Sequence, residues 1–308
     1  MITRRLLLAA GLGVAVGPVA TASANGSEMP IWPGEPPGGG GPGGALAVDA
    51  HGGVTNVVRP GLIAVLPEHP TNVAVLVAAG GGYKRIEIER EAMPAARWLA
   101  AQGIAAHVLT YRLPAEGWTV GPLAPLQDAL RALRMIRAGV AGRPAPRHVG
   151  VLGFSAGGHL MGLTAARSSF AFYDPVDSSD RQPARPDATA LIYPVITLLP
   201  PYDHTSTRRS LVGDHPTPEA SAEWSVETHV GPGCPPMFLV QAEDDPISDP
   251  ANTHLMAEAC RAAGVPVDLH RLSSGGHGFG MGRPGTPSAA WPDWYAEWLR
   301  QRGLLASS

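Results

Sequence analysis

The stretch "HVGVLGFSAGGHLMG", residues 148–162, holds the reading on which the fold turns. Its first seven residues form a short apolar run of strand character, and "GHLMGLTAARS" behind it reads as a helix. Ser155 sits at the junction between Gly153 and Gly157. Glycines on both sides permit a sharp strand-to-helix turn that lifts the hydroxyl clear of the backbone. The helix N-terminus beneath it favours developing negative charge. Gly-x-Ser-x-Gly is nonetheless short, and a chain of 308 residues with 38 glycines produces loose copies by chance. Two readings stay open at this point: a nucleophilic serine, or a glycine-rich helix cap. A base, an acid and hydrogen-bond donors elsewhere must decide between them.

Working outward, apolar strand-like runs alternate with amphipathic helical stretches. Residues 61–67, 72–78, 104–110 and 148–154 read as strands, as do "ATALIYPV", "PMFLVQA" and "PVDLHRL". "EAMPAARWLAAQG" reads as a helix ending at Gly103, with Pro94 near its start. "PLQDALRALRMIRAGV" puts Leu126, Leu130, Leu133, Ile136 and Val140 on one face. "PANTHLMAEACRAAG" and "AAWPDWYAEWLRQRG" are further helices. Continuous apolar strands separated by helices predict an α/β fold, a mostly parallel sheet with helices on both faces. The mixed segment 196–234 falls where a cover over the strand ends would lie.

Ligands of such sheets bind at the carboxyl ends of the strands. The last strand runs into "SSGGHGFG", a small-residue loop carrying His277, well placed to act as base. "PMFLVQA" ends in "EDDPISD", which offers Glu243, Asp244, Asp245 and Asp249 as acids; those not used would be turn residues or a cap for the helix near Ala251. "VLVAAGGGYKR" ends another strand in Gly80-Gly81-Gly82-Tyr83. Its backbone N–H groups, with that of Ala156, form a candidate oxyanion hole. Each piece is weak alone; four at the ends of four strands, in the order Ser, Asp, His, favour the nucleophile.

A net charge of −3 without basic runs or acidic tails excludes nucleic acid as the expected partner. "MITRRLLLAAGLGVAVGPVATASA" has a basic start, a short apolar run and Ala22-Ser23-Ala24. Residues 1–24 are expected to be an export signal, with a twin-arginine flavour at Arg4-Arg5, leaving the chain periplasmic or secreted and off the membrane once removed. Residues 25–60, rich in Pro and Gly, read as an extended, partly mobile lead-in with Trp32 as its candidate anchor, ahead of a single domain over 61–308. No metal-ligand spacing is evident and the chemistry needs no cofactor. Cys234 and Cys260 fall toward the same, non-catalytic edge of the sheet, where a disulfide is geometrically allowed.

"WPGEPPG", "GGGY", "YRLP", "APLQDALRALRMIR", "GFSAGGHL", "RRSLVGDHPTPE", "PPMFLVQAEDDP" and "GGHGFG" together resemble exported α/β-hydrolase esterases related to acetylxylan esterases and the hormone-sensitive-lipase-like esterases. The resemblance implies the α/β-hydrolase fold, with Ser155 as nucleophile, Asp245 as acid, His277 as base, and Gly81, Gly82 and Ala156 as oxyanion donors. Ala79 and Gln241 depart from the residues common there, which loosens inference about substrate. It implies removal of short acyl groups, acetyl above all, from plant-polysaccharide fragments, so a small-molecule or oligosaccharide ester is the expected partner. A general short-chain esterase is the close rival; a prolyl-oligopeptidase-like peptidase or a non-catalytic binding module are more distant ones. Tyr83, His204, Trp224 and Phe279 are candidate substrate-facing residues. His159 is expected to pack beneath the turn, and Arg112 and Asp128 to have structural roles.

Overall fold

The structure, a computed structural model, describes residues 28–140 and 142–305. Its strands are β1 (Met29–Pro30), β2 (Ala47–Val48), β3 (Val54–Thr55), β4 (Gly61–Val65), β5 (Val73–Ala78), β6 (Ala105–Thr110), β7 (His148–Phe154), β8 (Ala188–Ile192), β9 (Met237–Ala242) and β10 (Val267–Leu272). Eight of them form one sheet in the order β1-β4-β6-β5-β7-β8-β9-β10, while β2 and β3 pair separately. From β6 to β10 all neighbours run parallel; β1 and β4 are antiparallel additions at one edge. Strands β5, β8 and β9 are buried along their whole length, which is why they read as unbroken apolar runs rather than alternations.

The helices are α1 (Met93–Ala101), α2 (Leu123–Ala138), α3 (Ser155–Ala166), α4 (Ser206–Val212), α5 (Pro218–Glu223), α6 (Ala251–Ala262) and α7 (Trp291–Gln301). Helices α1 and α7 share one face of the sheet, where Trp98 stacks on Tyr295 with ring centroids 6.0 Å apart. Helices α2, α3 and α6 cover the other. A π-turn, Ile88–Ala92, precedes α1, and Pro94 occupies the first turn, where a missing N–H costs no hydrogen bond. The run predicted as a strand to Val195 stops at Ile192, because Tyr193 turns the chain with φ of 39°.

Leu126, Leu130, Leu133 and Ile136 are fully buried, as the 3.6-residue period predicts. Each contributes about 1.5–3 kcal/mol of burial. The opposite, polar stripe of α2 is buried too, and the covering element is the Pro/Gly-rich lead-in. Trp32 donates its indole N–H to Asp128 Oδ1 at 2.8 Å, and its ring lies between the guanidinium groups of Arg112 and Arg131. The Ile31 and Pro37 carbonyls accept from Arg131 Nε and Arg112 Nη1, both at 2.9 Å. The lead-in is thus tied to the domain through Ile31, Trp32 and Pro37. Pro and Gly rule out helix and central strand, but not packing. Arg112 and Asp128 form a fully buried ion pair within this clasp, a structural role.

Residues 1–24, read as an export signal, lie outside the described residues. Among the described residues no helix is long and apolar enough to cross a membrane. Cys234 and Cys260 are free and buried. The Cys234 sulfur accepts the Gly231 N–H, Cys260 Sγ lies 3.5 Å from Met237 Sδ, and burial pushes the Cys260 thiol up to about 12.

Candidate active site

Strand β7 delivers Ser155 at the carboxyl edge of the sheet, with φ of 49°. A side chain is rarely held in that left-handed region, and such strain concentrates at functional sites. The strain sits on the serine itself; the flanking glycines make the tight turn possible by carrying no Cβ where there is no room for one. A Cβ on Gly157 would stand 2.3 Å from the Ala78 carbonyl oxygen, and one on Gly153 would stand 2.3 Å from that of Gly157. They let β5, β7 and α3 approach one another closely.

His277 reaches Ser155 from the loop after β10. Its Nε2 lies 2.8 Å from Ser155 Oγ, and its Nδ1 lies 2.8 Å from Asp245 Oδ2. The network assigns the Nδ1–H to Asp245 and leaves Nε2 to accept from the serine. The Asp245 carboxylate is fully buried and takes three further bonds: from Gln241 Nε2 at 2.9 Å, Ile247 N at 2.8 Å and Ser248 N at 2.9 Å. Asp244 holds the loop instead, its Oδ1 accepting the N–H groups of Gly275 and Gly276, both at 2.8 Å. These bonds keep the Asp244 carboxyl below its usual value. Asp249 accepts from Ala251 N at the start of α6, and Glu243 pairs with Arg271.

The glycine loop after β5 has a divided set of N–H groups. Gly80 donates to Glu91 Oε2 at 2.5 Å. Gly81 and Gly82, with φ of 115° and 64°, donate to no partner among the described residues and line the same cleft as Ser155. The Ala156 N–H opens α3 and has no acceptor within the helix. The loop's carbonyls are engaged elsewhere: Gly80 O by Glu87 N, Gly81 O by Lys84 N, and Gly82 O by Ser210 Oγ on α4. N–H groups without an acceptor among the described residues therefore lie beside the serine in the loop that lines its cleft.

The cleft has a volume of about 370 Å³. Segment 196–234 contributes Thr205, Ser206 and Thr207 to its wall, and residues 84–91 contribute Lys84, Arg85, Glu87, Arg90 and Glu91, with Arg85 paired to Glu87. Val195 and Ile247 are its apolar side chains. None of the four residues expected to face substrate lines it. Tyr83 is buried, its hydroxyl 3.0 Å from His159 Nδ1. Phe279 is buried edge-on against Tyr193 at 4.4 Å. Trp224 packs against the core and offers its carbonyl to His159 Nε2 at 2.7 Å. His204 is exposed beyond the start of α4. Aromatic character favoured these positions, but it does not tell which way a ring faces.

His159 packs beneath the turn as expected. Burial pulls its pKa down to about 4, so it is neutral, with Nε2–H donating to Trp224 O and Nδ1 accepting from Tyr83. Sequence reasoning passed over Asp244 as loop anchor, Glu91 as acceptor of the Gly80 N–H, and the charged wall. The "GGGYKRIEIERE" run carried all but the first of these.

The chain is similar to several known proteins. The chain is 30% identical over 226 residues to an acetylxylan esterase of Xylanibacter ruminicola, covering 72% of this chain and 44% of that protein. It is 33% identical over 209 residues to endo-1,4-beta-xylanase B of Butyrivibrio fibrisolvens, covering 66% and 32%. The chain thus spans less than half of either of these longer relatives. The crystal structure of an acetyl ester-xyloside bifunctional hydrolase from Caldicellulosiruptor lactoaceticus superposes with a TM-score of 0.76 at 31% identity, over 91% of this chain and 98% of that one. With residues 75–281 also matching the family described as alpha/beta hydrolase fold, the chain belongs to the α/β-hydrolase fold family.

Proposed function

We propose that the protein is a serine carboxylic ester hydrolase that removes acetyl groups from carbohydrate, on fragments of plant polysaccharide such as xylan. The observation that carries the reading is the bonded series Ser155–His277–Asp245, with both links at 2.8 Å, opening on a cleft walled by polar and charged side chains. Such a wall suits a hydroxyl-rich alcohol moiety and a small acyl group. The names of the relatives support the same substrate class.

In this mechanism Ser155 Oγ attacks the ester carbonyl while His277 Nε2 takes its proton. Asp245 stabilises the imidazolium, and the N–H groups of Gly81, Gly82 and Ala156 bind the oxyanion. His277 returns the proton to the leaving sugar oxygen, giving free hydroxyl and acetyl-Ser155. Water, deprotonated by His277, then attacks the acyl carbon; acetate leaves and Ser155 regains its proton. Extracellular polysaccharide is reached by an exported enzyme, which the pattern in residues 1–24 supports.

The test measures acetate release from acetylated xylo-oligosaccharides beside aryl esters of rising chain length, with Ser155→Ala as control. Acetate release that disappears in the control, and aryl-ester rates that fall with chain length, are expected. Hydrolysis of aryl acetates without any deacetylation of sugars would leave a general short-chain esterase.

A further inference from the structure

Glu91 is a buried carboxylate in the wall of the cleft that the mechanism above does not use. Its Oε2 accepts the Gly80 N–H at 2.5 Å, and its Oε1 accepts the Tyr193 hydroxyl at 2.9 Å. The same hydroxyl accepts the N–H of Gly280 at 3.0 Å, three residues past His277. The Gly280 carbonyl is held in turn by the indole N–H of Trp291 at 3.0 Å. Tyr193, forced into φ of 39° where β8 ends, lies edge-on to the imidazole of His277 with centroids 5.0 Å apart. One side chain thus links two loops that approach Ser155 from different strands.

The position is a costly one for a carboxylate. Burial pushes its pKa up, and only the Gly80 and Tyr193 hydrogen bonds and the nearby imidazole offset that. A Cβ on Gly80 would sit 3.0 Å from Glu91 Oε2 and 2.7 Å from Ser155 Cβ, so carboxylate, loop and nucleophile are in close contact. The Gly80 N–H is held by Glu91, while the next two residues, at positive φ, line the cleft with N–H groups that have no acceptor among the described residues.

We propose that Glu91 is a positioning residue that, through Gly80 on one side and Tyr193–Gly280 on the other, fixes the oxyanion donors relative to His277. The proposal rests on the esterase reading above. Misplacement of reacting groups by about an ångström costs on the order of a hundredfold in rate, and that loss falls on the transition state rather than on ground-state binding.

The experiment compares Glu91→Gln, Tyr193→Phe and the double variant of the full chain on an aryl acetate. Inactivation by an aryl phosphonate, which forms the same tetrahedral oxyanion on Ser155, is followed alongside. Each single variant is expected to lower kcat about 10- to 100-fold with KM within about threefold, and to slow phosphonylation in parallel. The double variant should lose no more than the worse single one, because both break one connection. Tyr193→Phe keeps the ring and its packing, so it carries the test if Glu91→Gln fails to fold. Wild-type kcat in folded Tyr193→Phe, a loss confined to KM, or losses that multiply would each overturn the proposal. Should those results come with an inactive Ser155→Ala, the esterase reading survives them. Activity retained in Ser155→Ala removes that reading and this inference with it.

Discussion

Replacing Asp245 by asparagine changes one group and, with it, the tautomer of His277. The Oδ1 atom of Asp245 accepts two backbone N–H groups, from Ile247 at 2.8 Å and Ser248 at 2.9 Å, so the oxygen of an asparagine must take that place. Its NH₂ then replaces Oδ2 and faces His277 Nδ1 and Gln241 Nε2. Gln241 can accept from that NH₂ only by turning its amide, which gives its unpaired Oε1 a donor but breaks the Nε2 bond to the Ser248 carbonyl at 3.1 Å. His277 can answer only by making Nδ1 an acceptor, which moves the ring proton to Nε2, opposite Ser155 Oγ. A base already protonated there cannot take the serine proton. Loss of the correct tautomer costs about 10⁴-fold in kcat, roughly 5–6 kcal/mol on the barrier. Stability should fall by about 1–3 kcal/mol, since the buried Ser248 carbonyl loses its Gln241 donor.

Asp244→Asn is the matched control. Its oxygen goes on accepting from Gly275 and Gly276, and weakening two bonds at an exposed site should cost no more than about fivefold in kcat. Steady-state kinetics on an aryl acetate, with thermal melting of both variants, makes the comparison. An Asp245→Asn loss below about tenfold, or an equal loss in Asp244→Asn, would refute the assignment of Asp245 as the orienting acid.

Gly157→Ala should be disruptive, because the added methyl would meet the Ala78 and Ala79 carbonyl oxygens at 2.3 and 2.5 Å; about 3 kcal/mol or more of destabilisation is expected from urea midpoints. Gly150→Ala, whose methyl would find nothing nearer than 3.4 Å, should stay within about 1 kcal/mol; equal effects would contradict the close-approach account. For pH, burial lowers His159 from 6.5 to about 4, so across that window the unfolded chain binds a proton that the folded one refuses. Stability must therefore fall as pH drops from 6.5 toward 4, by about 1.4 kcal/mol per pH unit for each such group. His107, also lowered to about 4, adds a second. His159→Gln should remove one proton's worth of that slope in urea unfolding, and an unchanged slope would show that His159 titrates normally.

Much of this site could be read before the fold was known, and the reasons are local. A nucleophile at a strand end, a glycine loop and a histidine loop each leave a compact mark in the chain. Asp245 did not separate from Asp244 by composition; the family resemblance chose it, and the structure shows the difference as burial against exposure. The roles of Tyr83, Trp224, Phe279 and His204 depended on the facing of side chains, which type and spacing do not encode. Glu91 was hidden inside what read as the start of a helix. Trp32 was legible as an anchor of the lead-in, but its partners were not, because they lie about a hundred residues away on α2.

Ser155 as the residue that carries the acyl group is tested most directly by trapping it. His277→Ala retains the nucleophile but lacks the base that activates water, so an acyl-enzyme formed slowly from an activated acetate ester should persist. Peptide mass mapping after acid quench is expected to find a single acetyl group on the peptide containing Ser155, absent in the Ser155→Ala double variant. An acetyl group on another residue, or acetate released from acetylated xylo-oligosaccharide by the Ser155→Ala protein, would contradict the proposed mechanism.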